Sequence, residues 1–200
     1  MITSEEITEI RHTQMLIGRN ILLFQNIEHI LKVIIYFGSG SGTPSNLIKR
    51  KNKIDELSFG RLTDINLLEH IESKFNVESN SEITLSYDFL PDDHDFVDTL
   101  KYLNKHNDDR NFLVHNFCQR WQLNRSDHRE EAMHWLTTQY NSIFEKREVL
   151  VKTLLKITER TKDWLADINS EEFDRAINEV NEMKKQDINS DYTISYSRKY

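Results

Sequence analysis

Apolar residues recur at alternating spacings of three and four along much of this chain, the rhythm of helices that pack face to face. The first stretch, Ser4 to Tyr36, carries Ile7, Ile10, Gln14, Ile17, Ile21, Phe24, Glu28, Leu31 and Ile35 in that rhythm. Leu16, Leu23, Ile27, Ile30 and Ile34 add a second stripe. A face that wide predicts a long helix buried against more than one neighbour. The longest candidate covers residues 127–168. There Leu136, Tyr140, Ile143, Arg147, Leu150, Leu154, Ile157, Thr161, Trp164 and Ile168 alternate without a break. At 1.5 Å per residue it would reach roughly 60 Å and could lie along the whole first helix.

Shorter elements fill the interval. Gly38, Gly40 and Gly42 with their serines, followed by Pro44, predict a flexible loop, and Ser45 or Asn46 would cap the helix after it. Residues 46–75 read as one or two short helices broken near Ser58-Phe59-Gly60. In residues 76–91 the helical period is lost, and Ile83, Leu85 and Tyr87 alternate as in an extended segment. Asp92 or Asp93 should cap a helix through Lys105 with Phe96, Leu100 and Leu103 inward. Asn107-Asp108-Asp109 should cap a further helix over residues 109–123, and the next break falls at Gln122 to Ser126. Ser170 would begin a last helix with Phe173, Ile177, Val180 and Met183 on one face. The expected fold is all-α: a helical bundle with two long antiparallel helices and several shorter ones. Residues 1–186 would form one domain, and the polar residues 187–200 a tail outside the core.

Composition narrows the classes. Thirty per cent charged and 38% hydrophobic residues suit a globular chain. No run of 18 apolar residues and no leader pattern occurs, so a cytoplasmic protein without membrane association is expected. The apolar stretch from Ile27 to Phe37 is interrupted by Glu28, His29 and Lys32. Cys118 is the only cysteine, which excludes an internal disulfide or a multi-cysteine zinc site. A net charge of −7 argues against strong non-specific nucleic-acid binding. Two local clusters run the other way: Lys49-Arg50-Lys51-Asn52-Lys53, and Arg120, Arg125 and Arg129. Each could attract RNA locally, although the first reads equally as a solvated edge. The acids Asp92, Asp93, Asp95 and Asp98 suit the first turn of a helix better than a metal site. His94, His106, His128 and His134 offer no His-x-x-x-His pair, so no metal is expected.

The residues that carry chemistry are Arg110-Asn111-Phe112-Leu113-Val114-His115. Asn111 and His115 are one turn apart and share a helix face, where the amide could fix the imidazole tautomer. Gln119 and Gln122 extend that face, while Leu113, Val114, Phe117 and Trp121 should point to the core. Arg110 lies roughly 140° around a regular helix from His115. One chain would therefore not aim both at one phosphate, whereas a two-fold dimer could. Phe112, on the polar face, would be stranded in a monomer and is expected near the two-fold axis.

An Arg followed by Asn, with His five positions after the Arg, late in an all-helical chain, resembles the HEPN superfamily (higher eukaryotes and prokaryotes nucleotide-binding). The resemblance implies a metal-independent endoribonuclease that acts as a homodimer. It assigns His115 to proton transfer as a ribose 2′-hydroxyl attacks phosphorus, Arg110 to the phosphate charge, and Asn111 to orientation. No cofactor is implied. The biological setting it implies is a toxin–antitoxin or phage-defence system with a protein antitoxin as partner. One branch of the family carries a Tyr two positions after the His that its antitoxin modifies; here Phe117 stands there, so that control is not expected. The alternative reading is a non-catalytic helical scaffold of the same fold.

Overall fold

The computed structural model describes residues 3–64, 85–90 and 94–171, together with 174, 175, 177, 178 and 182. Among the described residues the chain is all-α apart from one two-stranded sheet. Its elements are α1 (Ser4–Gly38), β1 (Ser39–Gly42), α2 (Pro44–Asp55), α3 (Phe59–Leu62), β2 (Leu85–Asp88), α4 (His94–Lys105), α5 (Asn107–His115), α6 (Phe117–Arg120) and α7 (Ser126–Ile168). The expected caps at Asp92 and Asp93, residues 65–75 of the short helices expected over 46–75, most of the last helix and the tail 187–200 lie outside the described residues. The chain divides into two compact units interleaved in sequence. One is Met1–Leu31, Ser58–Asp64 and His94–Val151; the other is Lys32–Leu57, Ile65–Asp93 and Lys152–Tyr200.

In the first unit α1 and α7 meet along a seam whose partners advance together. Arg129 Nη2 donates to Glu9 Oε2 at 2.8 Å. Asn20 Nδ2 donates to Leu136 O at 2.8 Å and to Gln139 Oε1 at 3.0 Å. Arg147 Nε donates to Asn26 Oδ1 at 2.7 Å. The sequence separations of these pairs stay between 116 and 121. A near-constant separation means that the two helices run parallel, not antiparallel as expected. The chain between them accounts for this. Phe59 of α3 packs on Phe24, with ring centroids 5.5 Å apart, whereas Leu123 O accepts from the Arg129 guanidinium that holds Glu9. Between Phe59 and Leu123 the chain has thus returned toward the start of α1, and α7 sets out again in the same direction.

The buried line on α1 is Thr13, Leu16, Asn20, Leu23, Ile27 and Ile30. The second of the two expected stripes supplies the apolar members of this line, and Phe24, Leu31 and Ile35 of the first stripe are buried as well. Ile7 of the first stripe is 41% exposed. On α7 the buried line is Arg129, Ala132, Leu136, Gln139, Ile143 and Leu150. Every second expected position is therefore correct, but Gln139 rather than Tyr140 points inward. Thr13 Oγ1 donates to the Glu9 carbonyl at 2.9 Å and Asn20 donates to Gln139 Oε1, while Gln139 Nε2 is buried without a partner among the described residues. By length and composition α1 could cross a membrane, but 44% of its most apolar window is buried inside the structure. The core helix of a soluble protein passes the same test of length and composition.

In the second unit, β1 and β2 pair antiparallel from Ser39↔Asp88 to Gly42↔Leu85. The expected flexible loop is thus a strand, and the expected extended segment around Leu85 and Tyr87 is its partner. Glycine suits β1 for two local reasons. Gly42 has φ 142°, which L side chains rarely adopt. A Cβ on Gly40 would come within 2.6 Å of Tyr87 Oη. Thr43 caps α2 by accepting from Asn46 N, and Pro44 takes the first turn, where its missing N–H costs nothing.

Arg50, from the expected basic patch, is 2% exposed. Its Nη1 and Nη2 donate to Tyr36 O at 3.1 Å and Ile35 O at 3.0 Å. It therefore places a cation on the last carbonyls of α1, where the helix dipole favours one. Lys49, Lys51 and Lys53 remain on the exposed side of α2. Tyr87 Oη also donates to Tyr36 O, and burial holds this phenol above its ordinary pKa and so in the donating form.

Candidate functional site

The motif segment belongs to the first unit and is built in two pieces. Helix α5 runs from Asn107 to His115, Asn116 interrupts it at φ −122° and ψ −2°, and α6 follows over Phe117–Arg120. The single helix expected over residues 109–123 is therefore broken. Asn107, Asp108 and Asp109 do not cap α5 from outside; they form its first turn. His106 occupies the cap position without a side-chain cap bond. It stacks on Tyr102, with centroids 4.2 Å apart, and its Nδ1 lies 2.9 Å from the Tyr102 carbonyl. The two aspartates still serve the helix, because acids in a first turn complement its dipole.

Aromatic residues fasten the two pieces. Phe117 and Trp121 are buried. Phe112 meets Trp121 and Trp135 edge-on, with both centroid distances 5.6 Å. Trp121 and Trp135 are 5.3 Å apart. Phe112 is consequently half-buried by its own chain and is not the stranded aromatic that was expected to mark a two-fold axis. Trp135, on α7, was outside every predicted stripe, and its role emerges only when α5 is laid against α7. Leu113 is buried as expected, but Val114, about 100° around the helix from it, is 45% exposed.

The three motif residues share α5 but not one cluster. Arg110 Nη1 donates to Asn111 Oδ1 at 3.1 Å. The Asn111 oxygen is thus turned to the guanidinium, and the expected bond from its amide to the imidazole is not made. His115 is exposed in the last turn and makes no hydrogen bond or ion pair to the described residues. Since α5 is helical from Arg110 through His115, these side chains stay roughly 140° apart. Cys118 is exposed on α6. Among the described residues no group of His, Cys, Asp and Glu side chains could hold a metal ion.

The three arginines after the motif are in different situations. Arg129 is 1% exposed and held by Glu9 and the Leu123 carbonyl. Arg125 forks onto Asp127 with bonds of 3.2 and 2.7 Å, which hold that carboxyl below its usual pKa. Arg120 makes one long contact, 3.4 Å, to the exposed Glu131. No family model matches this chain, and neither a curated protein nor a solved structure matches it.

Proposed function

We propose that this chain is a metal-independent endoribonuclease of HEPN-like type, acting as a homodimer and serving as the toxin of a toxin–antitoxin or phage-defence system. The observation that carries the reading is the exposed, unpartnered imidazole of His115 one helical turn beyond the Arg110–Asn111 pair. An imidazole with no internal partner can exchange a proton with a substrate near neutral pH. Arg110 keeps further N–H donors beyond the one given to Asn111 and can fork onto phosphate oxygens. A ribose 2′-hydroxyl attacks the adjacent phosphorus, and the bond to the 5′-oxygen breaks. The imidazole removes the proton from the attacking hydroxyl or returns one to the leaving oxygen. The first product is a 2′,3′-cyclic phosphate, and no metal-bound hydroxide is required. The angular separation of Arg110 and His115 favours a dimer in which each phosphate is reached from two copies. RNA is the substrate, a protein antitoxin the partner, and the cytoplasm the place of action.

The alternative, a non-catalytic helical scaffold, draws on the aromatic cluster under α5, which gives Phe112 a packing role without any substrate. One assay separates the readings. Wild-type protein and His115→Ala are incubated with structured and unstructured RNA, with and without EDTA, and the product ends are identified. Metal-independent cleavage lost in the variant supports the enzyme. Equal cleavage by both proteins, or cleavage abolished by EDTA, overturns the mechanism, and no cleavage by either favours the scaffold. Light scattering at micromolar concentration tests the dimer, which a monomeric mass would exclude.

A further inference from the structure

Arg120 stands apart from the other arginines that follow the motif. Its guanidinium lies 4.9 Å from the Trp121 ring centroid and 6.0 Å from that of Phe112. These rings fix its position over the aromatic cluster that carries α5, and Phe112 sits between Asn111 and the last turn that holds His115. Its one carboxylate contact is long, and both side chains in it are about 60% exposed, so most of its five N–H donors remain available. Arg125 is bidentate to Asp127, and Arg129 is buried with two donors on Glu9 Oε2, so both have much less to offer.

We infer that Arg120 binds the phosphate of a nucleotide flanking the one cleaved, so that the site takes a single-stranded oligoribonucleotide rather than a mononucleotide. This rests on the ribonuclease reading for the cleavage step but not for binding. An arginine stacked on aromatic rings has already lost much of its rotamer freedom, so little more is lost when a phosphate arrives. Glu131 is the competing anion: it occupies one donor of Arg120 in the free protein and must yield to the phosphate. Arg120 therefore acts on substrate binding, and Glu131 weakens that binding.

The test uses full-length protein and two probes. A short single-stranded 2′-O-methyl oligoribonucleotide, which cannot be cleaved by 2′-hydroxyl attack, reports binding by fluorescence anisotropy across a salt series. The same sequence as ordinary RNA reports kcat and KM. Arg120→Ala should weaken binding and raise KM on the order of tenfold, as expected for lost hydrogen bonds to a charged group. It should leave kcat at saturation nearly unchanged and reduce the salt slope by roughly 0.7, the value for one phosphate on a single strand. Glu131→Gln should tighten binding about two- to fivefold, the range of an exposed ion pair. A merely structural role for Arg120 predicts no gain from Glu131→Gln. If wild type cleaves RNA while Arg120→Ala keeps its KM and its affinity, the inference fails and the ribonuclease reading stands. If wild type binds the oligomer without cleaving RNA, the ribonuclease reading fails and the two variants decide the inference on binding alone. A wild type that does neither overturns both.

Discussion

The α1–α7 seam and the motif segment use the same kinds of side chain in opposite ways. In the seam, Thr13, Asn20, Arg129 and Gln139 are buried and each makes a named hydrogen bond, although Gln139 Nε2 has no partner among the described residues. In the motif segment, His115, Gln119 and Gln122 are exposed while Phe117 and Trp121 fill the interior. Polarity alone therefore does not tell inside from outside in this protein. Asn20 finds a carbonyl and an amide opposite it, whereas His115 has no hydrogen-bond partner among the described residues. Removing polar groups from the two regions should have different consequences: lost activity in the motif, lost stability in the seam.

The largest effect is expected at His115. His115→Ala should lower RNA cleavage on the order of 10²–10⁴-fold, the usual contribution of a positioned acid or base. The thermal midpoint should stay unchanged, because the exposed ring makes no internal bond. Arg110→Lys should also be poor, since an ammonium cannot reproduce the guanidinium fork. A matching loss of stability in either variant would erase the contrast between the regions.

Arg129 sharpens the comparison from the other side. Arg129→Met removes both bonds to Glu9 and the bond to Leu123 O. Breaking a fully buried pair costs about 3–5 kcal/mol, but Glu9 is 44% exposed and can be rehydrated. A loss of about 2–3 kcal/mol in urea unfolding is expected, with cleavage by the remaining folded protein unaffected.

How much of this was legible in the sequence follows the same division. The helical class, the two long helices, the inward residues of α4 and the extended segment at Leu85 and Tyr87 all showed in the period of apolar residues. The seam itself did not. Thr13, Asn20, Gln139 and Arg129 interrupt the apolar rhythm, and Ile7 and Tyr140 continue it at positions that are not buried. Direction was hidden too: nothing local in α1 or α7 reports that the chain has already turned back between Phe59 and Leu123. The break at Asn116 was missed because neither glycine nor proline marks it. Arg110, Asn111 and His115 stood out by residue type and spacing, but only coordinates could show that Asn111 turns to the arginine and that Phe112 packs on Trp121 and Trp135.

The buried polar layer offers a finer test. Asn20→Ala loses two hydrogen bonds and leaves the Gln139 side chain without its partner, which should cost about 1–3 kcal/mol. Replacing both residues, Asn20→Leu with Gln139→Leu, removes the unpaired groups together and should cost much less than the single change, or even stabilise. The double-mutant cycle measures this coupling. Additive losses would mean that the pair contributes nothing as a pair, and the layer would then be a tolerated irregularity rather than part of what aligns α1 with α7.

The smallest effect is expected two residues from Asn20, on the opposite side of α1. Gly18 lies in the middle of that helix, and a Cβ built on it meets no atom within 4 Å. Glycine inside a helix is less favourable than alanine by about 1 kcal/mol, because it loses more backbone freedom on folding. Gly18→Ala should therefore raise stability by up to about 1 kcal/mol, read as a higher urea midpoint at unchanged slope. The neighbouring exposed residues Met15 and Leu22, at 61% and 66%, leave room for the added methyl. Asn20→Ala and Gly18→Ala introduce the same side chain into the same helix, yet the first should destabilise and the second stabilise, because only one of the two faces carries bonds to lose. If Gly18→Ala destabilised instead, that face of α1 would have to be covered in solution, and a second copy of the chain, whose mass light scattering would show, is the first thing to look for there.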